Sequence, residues 1–194
     1  MMIENMTVAK EPKPVLSVNK WKFITWLFII TIVMLFASQT SAYLVRRAEG
    51  NWTEFDMPQI FYWSTGVLML SSLFMFLARR AASKDEFGIL KIHIGLAFLL
   101  GTAFLIMQYL GWQDLQSTGI YLKGNPSGSF LYILTGLHAF HLISGLIILV
   151  FALVAAFRLK IHSKSLIQIE VCSTYWHFLD ILWIYLFVFL LYFR

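Results

Sequence analysis

Charged residues along this chain fall in clusters, and between the clusters lie long uncharged runs. They extend from Phe23 to Val45, Met57 to Ala78, Ile92 to Gln113, Gly124 to Phe157 and Val171 to Phe193, or 23, 22, 22, 34 and 23 residues, the last broken only by Asp180. A helix needs about 20 apolar residues to cross a hydrocarbon core of roughly 30 Å, and the shortest run reaches about 33 Å at ~1.5 Å per residue. The pattern therefore predicts an all-α integral membrane bundle of five transmembrane helices, near 22–46, 58–79, 90–113, 129–158 and 170–193. The fourth starts late because its run has room for a loop. Residues 21–194 form one membrane domain in this reading, and residues 1–20, polar and carrying two Lys-Pro pairs, form a flexible cytoplasmic arm.

Composition strengthens the picture. With 59% hydrophobic and 13% charged residues and a mean hydropathy of +0.74, the chain lacks the polar surface of a soluble domain. Basic residues of short loops stay preferentially in the cytoplasm. With the N-terminus inside, the cytoplasmic segments hold eleven Lys and Arg and the outer ones four: Arg46, Arg47, Lys123 and Arg194. The expected orientation is an N-terminus in the cytoplasm and a C-terminus outside. Topology and anionic lipid headgroups account for the net charge of +5, so no nucleic-acid partner is implied. The first apolar run is too long for a signal-peptide core, so its helix is expected to be retained. The single cysteine, Cys172, offers neither a disulfide framework nor a cysteine-based metal site. Pro12, Pro14, Pro58 and Pro126 all fall outside the expected spans, so the paired broken helices of many transporters are absent from the pattern. Small residues within the spans, among them Gly101, Gly145, Ser71 and Ser72, suit close helix packing.

Ionisable groups at membrane depth are costly, which singles out His138, His141, His177 and Asp180. Three uses compete: a haem or metal site, a proton or solute path, and hydrogen bonds that fix the bundle. Measured from the cytoplasmic ends at ~1.5 Å per residue, His177 lies about 9 Å deep and His141 and His138 about 24 and 29 Å. A separation of about 15 Å between His141 and His177 is too large for one iron, which disfavours a haem-binding cytochrome. His177 and Asp180 are three apart on one helix face, so Asp180 is expected to accept a bond from that imidazole or from a neighbouring helix. His138 and His141, sharing a face with Thr135 and Gly145, are expected to bond between helices.

At this point the residues resemble a family, subunit III of the haem-copper terminal oxidases. TGLHAFHLISGLI (Thr135 to Ile147) and EVCSTYWHFLDILWIYLF (Glu170 to Phe187) carry the resemblance most specifically. Glu170, Trp176, His177, Asp180 and Trp183 match the second segment. Trp26 and Tyr43 in the first helix, and Gln108 and Trp112 in QYLGW, also align. Two glutamates usual in the family are replaced by Ile32 and Gly111, so roles tied to those carboxylates do not transfer. The chain resembles the five-helix members, without the extra helix pair whose junction forms a lipid-filled cleft in seven-helix forms; phospholipid stays open as a ligand. The resemblance implies a non-catalytic subunit, with haems and copper in partner subunits. It would sit against catalytic subunit I, with subunit II and a larger supercomplex as further partners, in a bacterial cytoplasmic membrane. There it would support stability and sustained proton uptake. Relatives also accompany quinol oxidases and some nitric oxide reductases.

Overall fold

The computed structural model describes residues 19–158 and 166–193. Most of the expected cytoplasmic arm lies outside the described residues. Among the described residues five helices make up the fold: α1 (Lys20–Ala48), α2 (Gln59–Ser83), α3 (Phe87–Ser117), α4 (Pro126–Phe157) and α5 (Ile167–Phe193). All five are long and apolar enough to cross a membrane.

Each helix differs by a few residues from its expected span, for local reasons. Asn19 caps α1 by accepting from the Trp21 amide at 3.0 Å. At α4 the Asn125 side chain caps the Ser127 amide and Pro126 takes the first turn, where a missing N–H costs nothing. The helix therefore starts at Pro126, three residues before the expected 129. α3 continues through Asp114 to Ser117, because a charge at the membrane surface ends an apolar run without ending a helix. The turn between α2 and α3 is short and places Asp85 at φ 57, a left-handed conformation that Asp tolerates better than most residues.

α2 and α3 form the most intimate pair; α4 follows α3, and α5 packs between α4 and α2. α1 lies outside, touching α5 and α4, and its backbone does not approach α2. The burial pattern follows. On α1 only Ile29, Ile32, Phe36, Thr40 and Tyr43 are buried, one stripe at three- and four-residue spacing. On α5 thirteen residues are buried, including both tryptophans. Outward side chains such as Met34, Trp63, Leu99, Phe140 and Phe151 are large and apolar, which suits a lipid or helix neighbour.

Small residues set the closest approaches. A Cβ on Gly101 would stand 2.7 Å from Trp176 Cη2, and one on Gly111 would stand 2.8 Å from Phe61 Cε2. On Gly145 it would meet Leu179 Cδ1 at 2.9 Å. Trp176 thus fills the gap that Gly101 on α3 and Gly145 on α4 leave open, an arrangement in which dispersion contacts hold membrane helices together.

Candidate functional site, the polar line of α5

α2 presents Ser64, Thr65, Ser71 and Ser72, pairs seven residues apart and hence on one face. α5 runs antiparallel and meets them in order. Trp183 Nε1 donates to Thr65 Oγ1 at 2.9 Å, Trp176 Nε1 donates to Ser71 Oγ at 3.2 Å, and His177 Nδ1 pairs with Ser72 Oγ at 2.6 Å. Ser71 Oγ in turn donates to the Ala97 carbonyl of α3 at 2.9 Å, and Gln108 Nε2 of α3 donates to Ser64 Oγ at 3.1 Å. Interhelical bonds of this kind contribute roughly 0.6 kcal/mol each on average. Here five of them fix the register of three helices.

Glu170 begins this line at one membrane face. Its carboxylate takes Lys22 of α1 at 2.6 Å and Arg79 of α2 at 3.6 Å. Around the ion pair, Lys22, Thr25, Trp26, Arg79, Glu170, Val171 and Thr174 line a cleft of about 190 Å³. Glu170 is therefore the one ionic link by which α1 and α2 are joined among the described residues.

Asp180 departs from expectation. It is only 4% exposed, both carboxyl oxygens lack a hydrogen-bond partner, and the imidazole of His177 bonds Ser72 instead. The reason lies in placement: α5 packs on α2 through this face, and Ser72 Oγ stands 2.6 Å from His177 Nδ1.

The interhelical bonds expected of His138 and His141 are not formed. His141 Nδ1 bonds the Leu137 carbonyl of its own helix at 2.8 Å, and its ring meets Phe36 of α1 edge-on. His138 is fully buried with neither nitrogen bonded; it lies 5.1 Å from the Trp183 ring and 6.1 Å from Phe104. Thr135 on the same face does make an interhelical contact, accepting from Trp112 Nε1 at 3.1 Å. Across the helix boundary aromatic rings face the two imidazoles, while the Tyr175 hydroxyl donates to the His141 backbone carbonyl at 3.4 Å.

His141 and His177 lie closer in depth than the expected ~15 Å. Gly145 stands level with the Trp176–Leu179 turn. His141, four residues along α4, is therefore roughly 6 Å from the level of His177, not 15 Å. α5 begins at Ile167, before the Val171 from which its depth was counted, and that shift supplies most of the difference. The histidines nonetheless face different neighbours, His177 towards α2, His138 towards Phe104 of α3, and His141 towards α1. Residue patterns did not reveal Ser64, Thr65, Ser71 and Ser72 as bonding partners. Their repeat at seven residues was the available signal.

A polytopic bundle, cross-linked inside by side-chain hydrogen bonds and faced outside with large apolar groups, is a membrane-embedded protein built to hold shape. Comparison with known proteins gives its family. The model of cytochrome c oxidase subunit III matches residues 13–194. A probable cytochrome c oxidase subunit 3 of Mycobacterium tuberculosis (strain ATCC 25618 / H37Rv) is 34% identical over 177 residues, covering 88% of this chain and 86% of the relative. Cytochrome bo(3) ubiquinol oxidase subunit 3 of Pseudomonas aeruginosa is 30% identical over 167 residues, covering 84% and 79%. Cytochrome c oxidase subunit 3 of Bacillus subtilis (strain 168) is 28% identical over 188 residues, covering 93% and 90%. The chain belongs to the cytochrome c oxidase subunit III family, and it is a multi-pass membrane protein.

Proposed function

We propose that the chain is the accessory subunit III of a respiratory haem-copper terminal oxidase, docked on catalytic subunit I beside subunit II. In this reading it supplies no catalytic centre. The haems and copper belong to the partner subunits, and the bundle supports the stability and sustained proton uptake of subunit I. One observation carries the reading: the family match spans residues 13–194, nearly the whole chain. The separate directions of His138, His141 and His177 support placing the redox groups elsewhere. The distribution of Lys and Arg supports an N-terminus in the cytoplasm of a bacterial cell and a C-terminus outside. The Pseudomonas relative, named a ubiquinol oxidase subunit, favours a second version in which the electron donor is a quinol.

The test is to purify catalytic subunit I through a tag from mildly solubilised membranes and quantify this chain by mass spectrometry. Equimolar recovery is expected; consistent absence would defeat the docking. Identification of the accompanying subunit II, with or without a copper-binding motif, separates the two electron donors.

A further inference from the structure

The outward surface of α1 changes character along its length. Over the first half it presents Ile24, Leu27, Ile30 and Met34, between 49% and 67% exposed, the large apolar groups that suit a hydrocarbon neighbour. Beyond Met34 it presents Ala37, Ser38, Ser41 and Ala42, all exposed and all small. The surface steps inward there. Ser38, Ser41 and Ala42, with Phe130 and Ile133 of α4, line an open hollow of about 720 Å³. Ala37 and Ser41 are four apart, as are Ser38 and Ala42, the spacing of small residues at which membrane helices approach each other closely.

Hydrogen bonding says what fills the hollow. Thr25, Thr31, Ser38 and Thr40 each donate to a carbonyl of α1 itself, three or four residues back, which satisfies a hydroxyl that faces lipid. Ser41 does not. Its hydroxyl and the half-buried amide of Gln39 have no hydrogen-bond partner among the described residues. Counted back from Arg46 at ~1.5 Å per residue, Ser41 and Gln39 stand about 8 and 11 Å inside the end of the uncharged run. A hydrocarbon tail would fill the volume and leave both groups unpaired, a costly arrangement at that depth. A lipid headgroup belongs at the level of Arg46, and that guanidinium already pairs with Glu49 at 3.1 Å. A protein helix answers both features, because it can pack on small residues and carry a polar side chain at this depth.

We propose that residues 37–42 of α1 are the seat of a transmembrane helix of another chain, small at the contact and offering a hydrogen-bonding side chain to Gln39 and Ser41. The identity of that chain rests on the accessory-subunit reading, under which the helix belongs to catalytic subunit I.

Photo-crosslinking in native membranes reads the seat directly. With p-benzoylphenylalanine in place of Ser41, illumination is expected to join this chain to a transmembrane segment of subunit I, located by mass spectrometry of the adduct. Adducts confined to lipid, or joining two copies of this chain, would overturn the proposal. Filling the hollow is the second arm. Ser38→Leu combined with Ser41→Leu alters only exposed positions, so the melting of the bundle itself is expected to stay unchanged. Recovery of the double variant with tagged subunit I is expected to fall by about tenfold, since added bulk keeps the helices apart. Gln39→Leu removes the amide without filling the hollow, and its recovery is expected to fall about threefold. Unaltered recovery of the double variant would overturn the proposal; should it fail to fold, the adduct at position 41 decides alone. Failure of the wild-type chain to accompany subunit I defeats the accessory reading instead, and an adduct at position 41 with a helix of a different membrane protein would still uphold the seat.

Discussion

α1 and α5 are similar in length and apolar character, yet the bundle uses them in opposite ways. α5 buries thirteen residues of 27 and bonds α2 at three heights, whereas α1 buries five of 29 along a single stripe. α1 is held by rings and by its ends. Tyr43 packs edge-on with Trp52 and Phe189 and donates to the Phe193 carbonyl, Thr40 meets the Tyr185 hydroxyl at 3.1 Å, and Lys22 pairs with Glu170. Hydrophobicity alone thus says that a helix enters the bilayer, while the distribution of large and hydroxyl-bearing side chains says where it stands in the bundle.

Substitutions that set the two helices against each other should differ most at the tryptophans. Trp183→Ala removes a side chain 1% exposed together with its bond to Thr65, and a loss of about 3–5 kcal/mol is expected in denaturant titrations of the purified protein. Trp26→Ala on α1, where the ring is 57% exposed, should stay within about 0.5 kcal/mol. Equal losses would mean that α1 is as central as α5. Next in size is Gly101→Ala, which forces a methyl against Trp176 and should cost about 1–3 kcal/mol. Gly95→Ala in the same helix meets nothing within 4 Å and should be neutral or slightly stabilising in thermal melts. Tyr43→Phe, which deletes one interhelical donor at the α1–α5 end, should cost roughly 0.6–2 kcal/mol by the same melts. The smallest effect belongs to Lys22→Ala: its amine lies on a half-exposed pair, so about 0–1 kcal/mol is expected, reduced further by salt.

Much of this architecture was legible in residue order. Uncharged runs marked the five helices, since length and desolvation of charge constrain each span separately. Helix ends were less legible, because caps such as Asn125 and surface charges such as Asp114 act on the backbone without altering the apolar pattern. Tertiary partners were the least legible. The spacing of His177 and Asp180 fixes a common face, but whether that face meets a serine, a cation or lipid depends on which helix packs there. Ser72 took His177, and Asp180 was left without a bond. The histidines of α4 failed for a related reason: a face shared with Thr135 gave no sign that Trp183, Phe104 and Phe36 would be its neighbours.

Whether subunit I accompanies this chain in the membrane tests its proposed role most directly. Affinity purification through a tag on its C-terminus, followed by optical spectroscopy and subunit quantification, should recover haem absorbance with equimolar subunit I. That spectrum should be unchanged when His138 or His141 is replaced. Recovery of the chain alone, or a haem spectrum that disappears with either histidine while no partner is present, would contradict it.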